Sequence, residues 1–388
     1  MFYSRDLAHQ MLGAHLLGLD AENLSMLRHF AGSSNGARGW YPLWAFEFDG
    51  TPAAIDYHSD DDFVREVPAP FELVEKAVEQ YRWTADDRFL LTPEIAAFVR
   101  STMTSFVDTH DPLGTGVAGE GGSGDIFRGT ATYNEGERPP HLLVAADGIA
   151  SQWAAHLALG SITFDDEFAA WNRARAEQLD EHFSTSWWLP GDEHYTAGFT
   201  ADGPTGGFRL ESTWFPALKG IMRDDQRSSA HLDFLRSGLA ATPPANIEAF
   251  TYLPEAFFRY GWDDEALRWM RYLAGSRADY PEVPFTHVAH VAVGLTGLEP
   301  GAQEGVVHTR SHLPGGEWIE VEDVPVGGSV VGLRHEAREA TEFEVTGGPG
   351  VTWNSVWDDG HVTTVDVPNG SRVRAAADGS VAVLRGQR

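Results

Sequence analysis

Glu282 lies in the segment Tyr280-Pro281-Glu282-Val283-Pro284, just ahead of Phe285 to Leu298, a helix pattern that is apolar nearly all round. Proline on either side of the Glu282-Val283 pair limits backbone freedom. A carboxylate is thus rigidly mounted at the mouth of a buried helix, as a group that moves protons must be; the ordinary alternative is a solvated loop carboxylate. Asp125 stands in the glycine-rich run Gly119-Glu120-Gly121-Gly122-Ser123-Gly124-Asp125-Ile126-Phe127-Arg128. Glycine there permits close backbone approach and loop movement, although Asp beside Gly is also common turn chemistry. Glu135, in Thr132-Tyr133-Asn134-Glu135, follows on the same loop. His287 and His290 are three apart on one helical face. Such a pair suits acid/base chemistry or a metal, but on a buried helix it is more often a satisfied core group. With no cysteine in the chain there is no thiolate metal site. No metal and no cofactor are expected.

The elements that must hold these residues are helices. Apolar spacing predicts helices over 5–19, 21–30, 71–83, 93–108, 144–159, 165–183, 212–222, 228–239, 247–261, 263–274 and 285–298, alternating buried and amphipathic. No strand runs that could form a parallel sheet lie between them. Pro70 and Pro93 fall in first turns, Gly261 ends a pattern as a C-terminal glycine does, and 111–143 is a long loop. From Gly305 the period changes to two, in Trp318-Ile319-Glu320-Val321, Ser329 to Leu333 and Thr341 to Val345, with Gly and Pro turns between. The reading is a mainly α region over 1–300 followed by an antiparallel β-sandwich over 301–388.

Three stretches carry a family resemblance: the Tyr280-Pro281-Glu282 loop, the helix ending Gly294-Leu295-Thr296-Gly297-Leu298-Glu299-Pro300, and Leu313-Pro314-Gly315-Gly316-Glu317-Trp318. In order and spacing they resemble the six-hairpin glycosidases, closest in the C-terminal part to the α-L-rhamnosidase-like and trehalase-like members. The resemblance implies an (α/α)6 toroid. If 285–298 is its last inner helix, 5–19 is its second helix and the first outer helix is absent, as is a β domain ahead of the toroid; the chain is then expected to be a fragment or to start further upstream. It implies an inverting, exo-acting glycoside hydrolase, with two carboxylates roughly 6.5–9.5 Å apart. The base slot falls on Glu282. The acid slot falls on the 119–135 loop, with Asp125 first and Glu135 second, because Ser123-Gly124-Asp125 and Arg128 resemble an "S-G-x-D-x-x-x-R" pattern one residue short. Asp125 is expected to be buried against Phe127 and Tyr133. Arg5-Asp6 resembles the "R-D" that holds a sugar hydroxyl, and Val144-Ala145-Ala146-Asp147 resembles "P-V-D-L-N-A". Arg65 and Glu66 bind sugar or pair with each other. Tyr133, Glu248, His287 and the tryptophans Trp40, Trp44, Trp153 and Trp214 complete the expected substrate-binding set, since an apolar sugar face stacks on aromatic rings.

Two rivals use the same scaffold. A sugar epimerase would work through histidines, and a degenerate toroid would bind carbohydrate without turning it over; a polysaccharide lyase using Tyr133 and Arg128 is a third. Composition weighs against the lyase. The net charge is −29, and of 28 basic residues only Lys76 and Lys219 are lysines. That balance disfavours anionic polymers, nucleic acid and anionic membranes, leaving carbohydrate as the expected partner. Met1-Phe2-Tyr3-Ser4-Arg5-Asp6 lacks the basic-then-apolar order of a signal peptide, so a cytoplasmic location is expected.

Overall fold

The computed structural model describes residues 1–223, 225–275 and 280–384. Among the described residues eleven longer helices build the first three-quarters of the chain: α1 (Ser4–Leu16), α2 (Asp20–Ser33), α3 (Pro68–Thr84), α4 (Pro93–Ser101), α5 (Ala146–Gly160), α6 (Asp166–Ser186), α7 (Glu211–Lys219), α8 (Gln226–Ala241), α9 (Leu253–Phe258), α10 (Asp263–Ala274) and α11 (Glu282–Ala289). Two short helical turns that the sequence reading did not separate, Arg88–Leu91 and Val107–Thr109, stand before and after α4, the second beyond a π turn at Thr102–Phe106. A 3-10 turn, Glu248–Tyr252, leads into α9, and α11 continues as a π turn over His290–Leu295.

Every second helix is inner. The sequence α1, α3, α5, α7, α9, α11 packs neighbour to neighbour and returns to α1, closing a ring. Their composition explains this: α5 reads Ala-Asp-Gly-Ile-Ala-Ser-Gln-Trp-Ala-Ala-His-Leu-Ala-Leu-Gly and is buried over most of its length, whereas α6 presents alternating acids and arginines to solvent. Closure depends on small residues. A Cβ on Gly13 of α1 would lie 2.0 Å from the Phe285 carbonyl oxygen of α11, so only glycine lets these two backbones meet.

The outer shell has α2, α4, α6, α8 and α10, and no outer helix lies beside the α1–α11 seam among the described residues. The flank of that seam is covered in part by the strand region instead. Leu12, Leu16, Ala289 and Val293 join Trp83 and Leu298 in one apolar cluster with Val326, Val331 and Phe343.

From Glu299 the chain is β. A five-stranded antiparallel sheet runs in the order β3 (Trp318–Val326), β4 (Ser329–Glu336), β5 (Ala340–Gly347), β8 (Ser371–Ala376), β9 (Val381–Leu384). A four-stranded sheet faces it, ordered β1 (Glu299–Gly301), β2 (Val306–Thr309), β6 (Val351–Val356), β7 (Val362–Val367). Alternation is strict in β6, where Val351, Trp353 and Ser355 face inward, and Trp353 stacks on Phe343 with ring centres 5.1 Å apart. One pairing departs from the antiparallel expectation: β2 and β6 are parallel. The sheets dock on the C-terminal ends of inner helices, with Gly327 N–H donating to the Trp83 carbonyl at 2.6 Å and His15 Nε2 lying 3.2 Å from the Pro325 carbonyl. The opposite end of the ring is thereby left to the loops.

Candidate active site

At that opposite end all six inner helices begin, and each brings a carboxylate at or next to its first turn: Asp6 on α1, Glu66 ahead of α3, Asp147 on α5, Glu211 on α7, Glu248 in the turn into α9 and Glu282 on α11. Helix N-termini carry partial positive charge and unpaired N–H groups, so converging ends favour anions there.

The cation nearest these groups is Arg5, itself largely buried. Its guanidinium reaches Glu135 at 3.0 Å, Glu248 at 3.5 Å and Glu66 at 3.9 Å, and lies over the Tyr133 ring at 5.5 Å. Glu66 is fully buried and also accepts a 2.9 Å bond from Trp44 Nε1. Burial, opposed in part by Arg5, pushes its carboxyl up to about 8. On the other side of Arg5, Glu282 is buried and accepts from Gln10 Nε2 at 2.9 Å. Asp6 lies against it. Burial first, then the negative charges of Glu282 and Glu248, push the Asp6 carboxyl up to about 7. Glu211 is pushed up to about 8 by burial, and its Oε2 has no hydrogen-bond partner. Glu66 Oε1, Glu282 Oε2, the hydroxyls of Tyr133 and Tyr252, and Trp214 Nε1 are likewise buried without a hydrogen bond. Such groups carry a desolvation cost unless something supplies donors and acceptors.

The other predicted residues fall into three groups. Arg5, Asp6, Glu66, Tyr133, Glu135, Glu248 and Glu282 are brought together, along with Trp44. Asp147 is adjacent but occupied: it is fully buried and accepts from Tyr133 N–H at 2.7 Å, Thr132 Oγ1 at 2.8 Å and Ser212 Oγ at 3.0 Å. It clamps the Glu135 loop to the starts of α5 and α7, and burial pushes it up to about 6. Trp214 is wholly buried, and Trp153 packs half-buried on the same cluster.

Asp125 is not drawn in. Its side chain is half exposed, caps the 126–128 turn by accepting from Phe127 N–H at 3.1 Å, and faces Arg128 at 3.6 Å. The expected burial against Phe127 and Tyr133 is absent, because Phe127 stacks on His58 instead, at 4.9 Å. Arg65 and Glu66 do not pair with each other. Arg65 covers the Phe63 ring and donates to the Arg128 carbonyl at 2.9 Å. Trp40, at a positive φ of 69°, sits at the edge of a separate core cluster. His287 lies one turn below Glu282 on α11, and His290 is buried deeper, where burial lowers it to about 4 and keeps it neutral.

Sequence reasoning passed over Gln10, His9, Tyr252 and Glu211. His9 is one turn below Asp6, 2.6 Å from Thr251 Oγ1 and stacked on Tyr252 at 3.7 Å, and burial holds it well below the usual imidazole range. Glu211 follows Leu210, whose positive φ of 40° turns the chain sharply into α7. The signal that could have found it is its place: a carboxylate opening an inner helix, like Asp6, Asp147, Glu248 and Glu282.

No protein-family model and no curated protein matches the sequence. Solved structures do. A GH78 family rhamnosidase of Bacillus sp. GL1 superposes with a TM-score of 0.61 at 14% identity, over 92% of this chain and 39% of that one. The α-L-rhamnosidase of Aspergillus terreus gives 0.58 at 12% identity, over 99% and 45%. The fold is that of the six-hairpin glycosidases. This chain spans less than half the length of either protein. A sialidase also superposes, at 0.55 and 12% identity over 72% of this chain and 31% of that one, so the fold does not fix the sugar. Among the described residues no helix is long and apolar enough to cross a membrane.

Proposed function

We propose that the chain is a glycoside hydrolase acting at the ring of inner-helix N-termini, with Glu282 as general base and Glu135 as general acid. One observation carries the reading: six inner helices begin with carboxyls around one end of the ring, and several buried oxygens and hydroxyls there lack partners, a lining suited to a polyhydroxylated ligand. Glu282 stands on α11, and Glu135 on the loop before α5, three helices away around the ring and so across it. Separation across a pocket is what an inverting pair requires, since water must fit beside the base.

In this mechanism Gln10 and Asp6 fix the Glu282 carboxylate, which takes a proton from the attacking water. Glu135 leaves its Arg5 contact, takes up a proton from solvent and donates that proton to the glycosidic oxygen as the bond to the leaving group breaks. Arg5, freed of one carboxylate, keeps Glu248 and Glu66 in place for sugar hydroxyls. Asp125, the first candidate by resemblance, is set aside because it caps the 126–128 turn and faces Arg128, whereas Glu135 reaches Arg5 at the ring. Histidine-based epimerisation has no comparable support, because His290 lies below the ring and is held neutral by burial.

Aryl glycosides of graded leaving-group ability, screened with several sugars of both anomers, test the assignment. Glu282→Gln should lose about 10²–10⁴-fold in turnover on every substrate. Glu135→Gln should lose as much on poor leaving groups and far less on dinitrophenyl glycosides, which need no protonation. Asp125→Asn should stay near wild type. Loss of turnover in D125N with retention in E135Q would return the acid role to Asp125.

A further inference from the structure

Polyols need acceptors and donors in similar number, but this ring is not balanced in that way. Among the described residues seven carboxyls, the six at helix starts and Glu135, stand around one guanidinium, that of Arg5. That guanidinium is committed to Glu66, Glu135 and Glu248. Neither Asp6 nor Glu282 has a cationic side chain within ion-pair distance among the described residues; Gln10, neutral, is the donor Glu282 receives. Glu282 is 4% exposed and its second oxygen is orphaned. Asp6, half-buried, lies beside it, and two neighbouring carboxylates repel each other. An occupant bringing a charged donor to that spot satisfies the orphaned oxygen and relieves the repulsion between the two carboxyls.

We propose that the Asp6–Glu282 pair is a seat for a protonated amine, and that the ring takes amino sugars in preference to neutral sugars and rejects acidic ones. This rests on the reading that the ring holds a sugar, and narrows its class. The ammonium sits between the two carboxyls, donating to Glu282 Oε2 and to Asp6. A carboxylated sugar brings one more negative charge to the pair, and Arg5 is already engaged.

A charge-only pair of probes separates this from sugar identity. Tris and pentaerythritol are tetrahedral polyols of nearly one shape, and Tris carries an ammonium below its pKa. Binding is measured calorimetrically at pH 7.0 in phosphate with 150 mM NaCl, which screens attraction of any cation to the acidic surface. The expected result is Tris binding at least about tenfold more tightly than pentaerythritol, the scale of one charge-assisted hydrogen bond. Asp6→Asn and Glu282→Gln should each abolish that preference. Glu317→Gln, at an exposed carboxylate remote from the ring, should keep it, and melting curves confirm that each variant is folded. D-Glucosamine and D-galactosamine, set against glucose, galactose and glucuronate, extend the same comparison to sugars. Equal affinities for the two polyols, or a preference that survives D6N and E282Q, overturns the amine seat. If neutral glycosides are hydrolysed in that case, the glycosidase reading stands without it. If nothing binds and no glycoside is turned over, both fall.

Discussion

Two levels of the same barrel handle buried charge in opposite ways. At the N-terminal end Arg5 pairs with only three of seven carboxyls, and several oxygens have no partner. Deeper down the inner helices, the chain's only two lysines are each matched. Lys219 on α7 is 2.6 Å from Glu72 and 2.6 Å from Glu75 on α3, and Lys76 is 3.0 Å from Glu79. Burial alone would strip the proton from Lys219, but Glu72 and Glu75 outweigh it and hold its pKa above the ordinary value. The matched level fixes how α3 and α7 sit across the barrel. The unmatched level is costly as it stands and makes sense as a surface completed by a ligand.

Breaking the matched level should have the largest effect. Lys219→Met leaves Glu72 and Glu75 buried without their cation, and loss of one partner of a buried pair costs about 3–5 kcal/mol. Urea titration measures it. A loss under about 1 kcal/mol would mean that water reaches these carboxylates and the level is not truly buried.

Substitution at the unmatched level should go the other way. Glu211→Gln removes a buried acid that has an unpartnered oxygen, and at pH 8.5 it should raise the melting temperature by about 2 °C or more. Turnover should fall in the same variant if Glu211 touches substrate. A destabilised E211Q would show instead that the carboxylate has a structural partner.

The pH dependence follows with a definite sign. Glu66 and Glu211 are raised to about 8 and Asp6 to about 7 in the fold. Unfolded carboxyls lose their protons near 4. Between those values the folded state binds more protons than the unfolded state, so stability falls as pH rises from about 4 to 8 and levels off above. Melting curves at pH 5, 6.5 and 8.5 should decline in that order, with a shallower decline in E211Q and D6N. A flat or rising profile contradicts the ring as described.

Much of this was legible in the sequence, and what was not has physical causes. Helix positions were carried by apolar period, because each inner helix buries nearly its whole surface; the predicted 263–274 helix has the observed bounds. Glu282 was legible from its prolines, and Arg5 and Asp6 from a short motif. Asp125 misled because its glycine-rich surroundings fit a turn cap and a mobile acid equally well, and a linear pattern cannot say which way a loop faces. Glu211 was hidden for another reason: Arg209 and Leu210 before it give no helix-start signal, and the turn is forced by a strained backbone angle at Leu210. The cover over the α1–α11 seam was illegible too, since it depends on contacts between Leu12 and residues more than 280 positions later.

The smallest expected effect concerns salt, and it separates the ring from the protein's surface. The chain carries −29 formal charge, most of it on exposed side chains that repel over distances salt can screen; the Debye length falls from about 10 Å at 0.1 M to about 3 Å at 1 M. Relief of that repulsion should raise the melting temperature by a few degrees between low and molar NaCl. Working against it, the outer face of the five-stranded sheet carries paired charges such as Arg374 with Glu336 at 2.6 Å and Arg372 with Glu342 at 2.7 Å. These pairs are partly exposed, are worth about 0–1 kcal/mol each, and weaken in salt. The net gain is therefore modest. Buried carboxyls at the ring are screened much less, so the decline in stability from pH 5 to 8.5 should keep its slope in 1 M NaCl while the whole curve shifts upward. If molar salt flattens the pH profile as well, the carboxylates responsible lie on the surface, and the contrast between the two levels of the barrel loses its energetic basis.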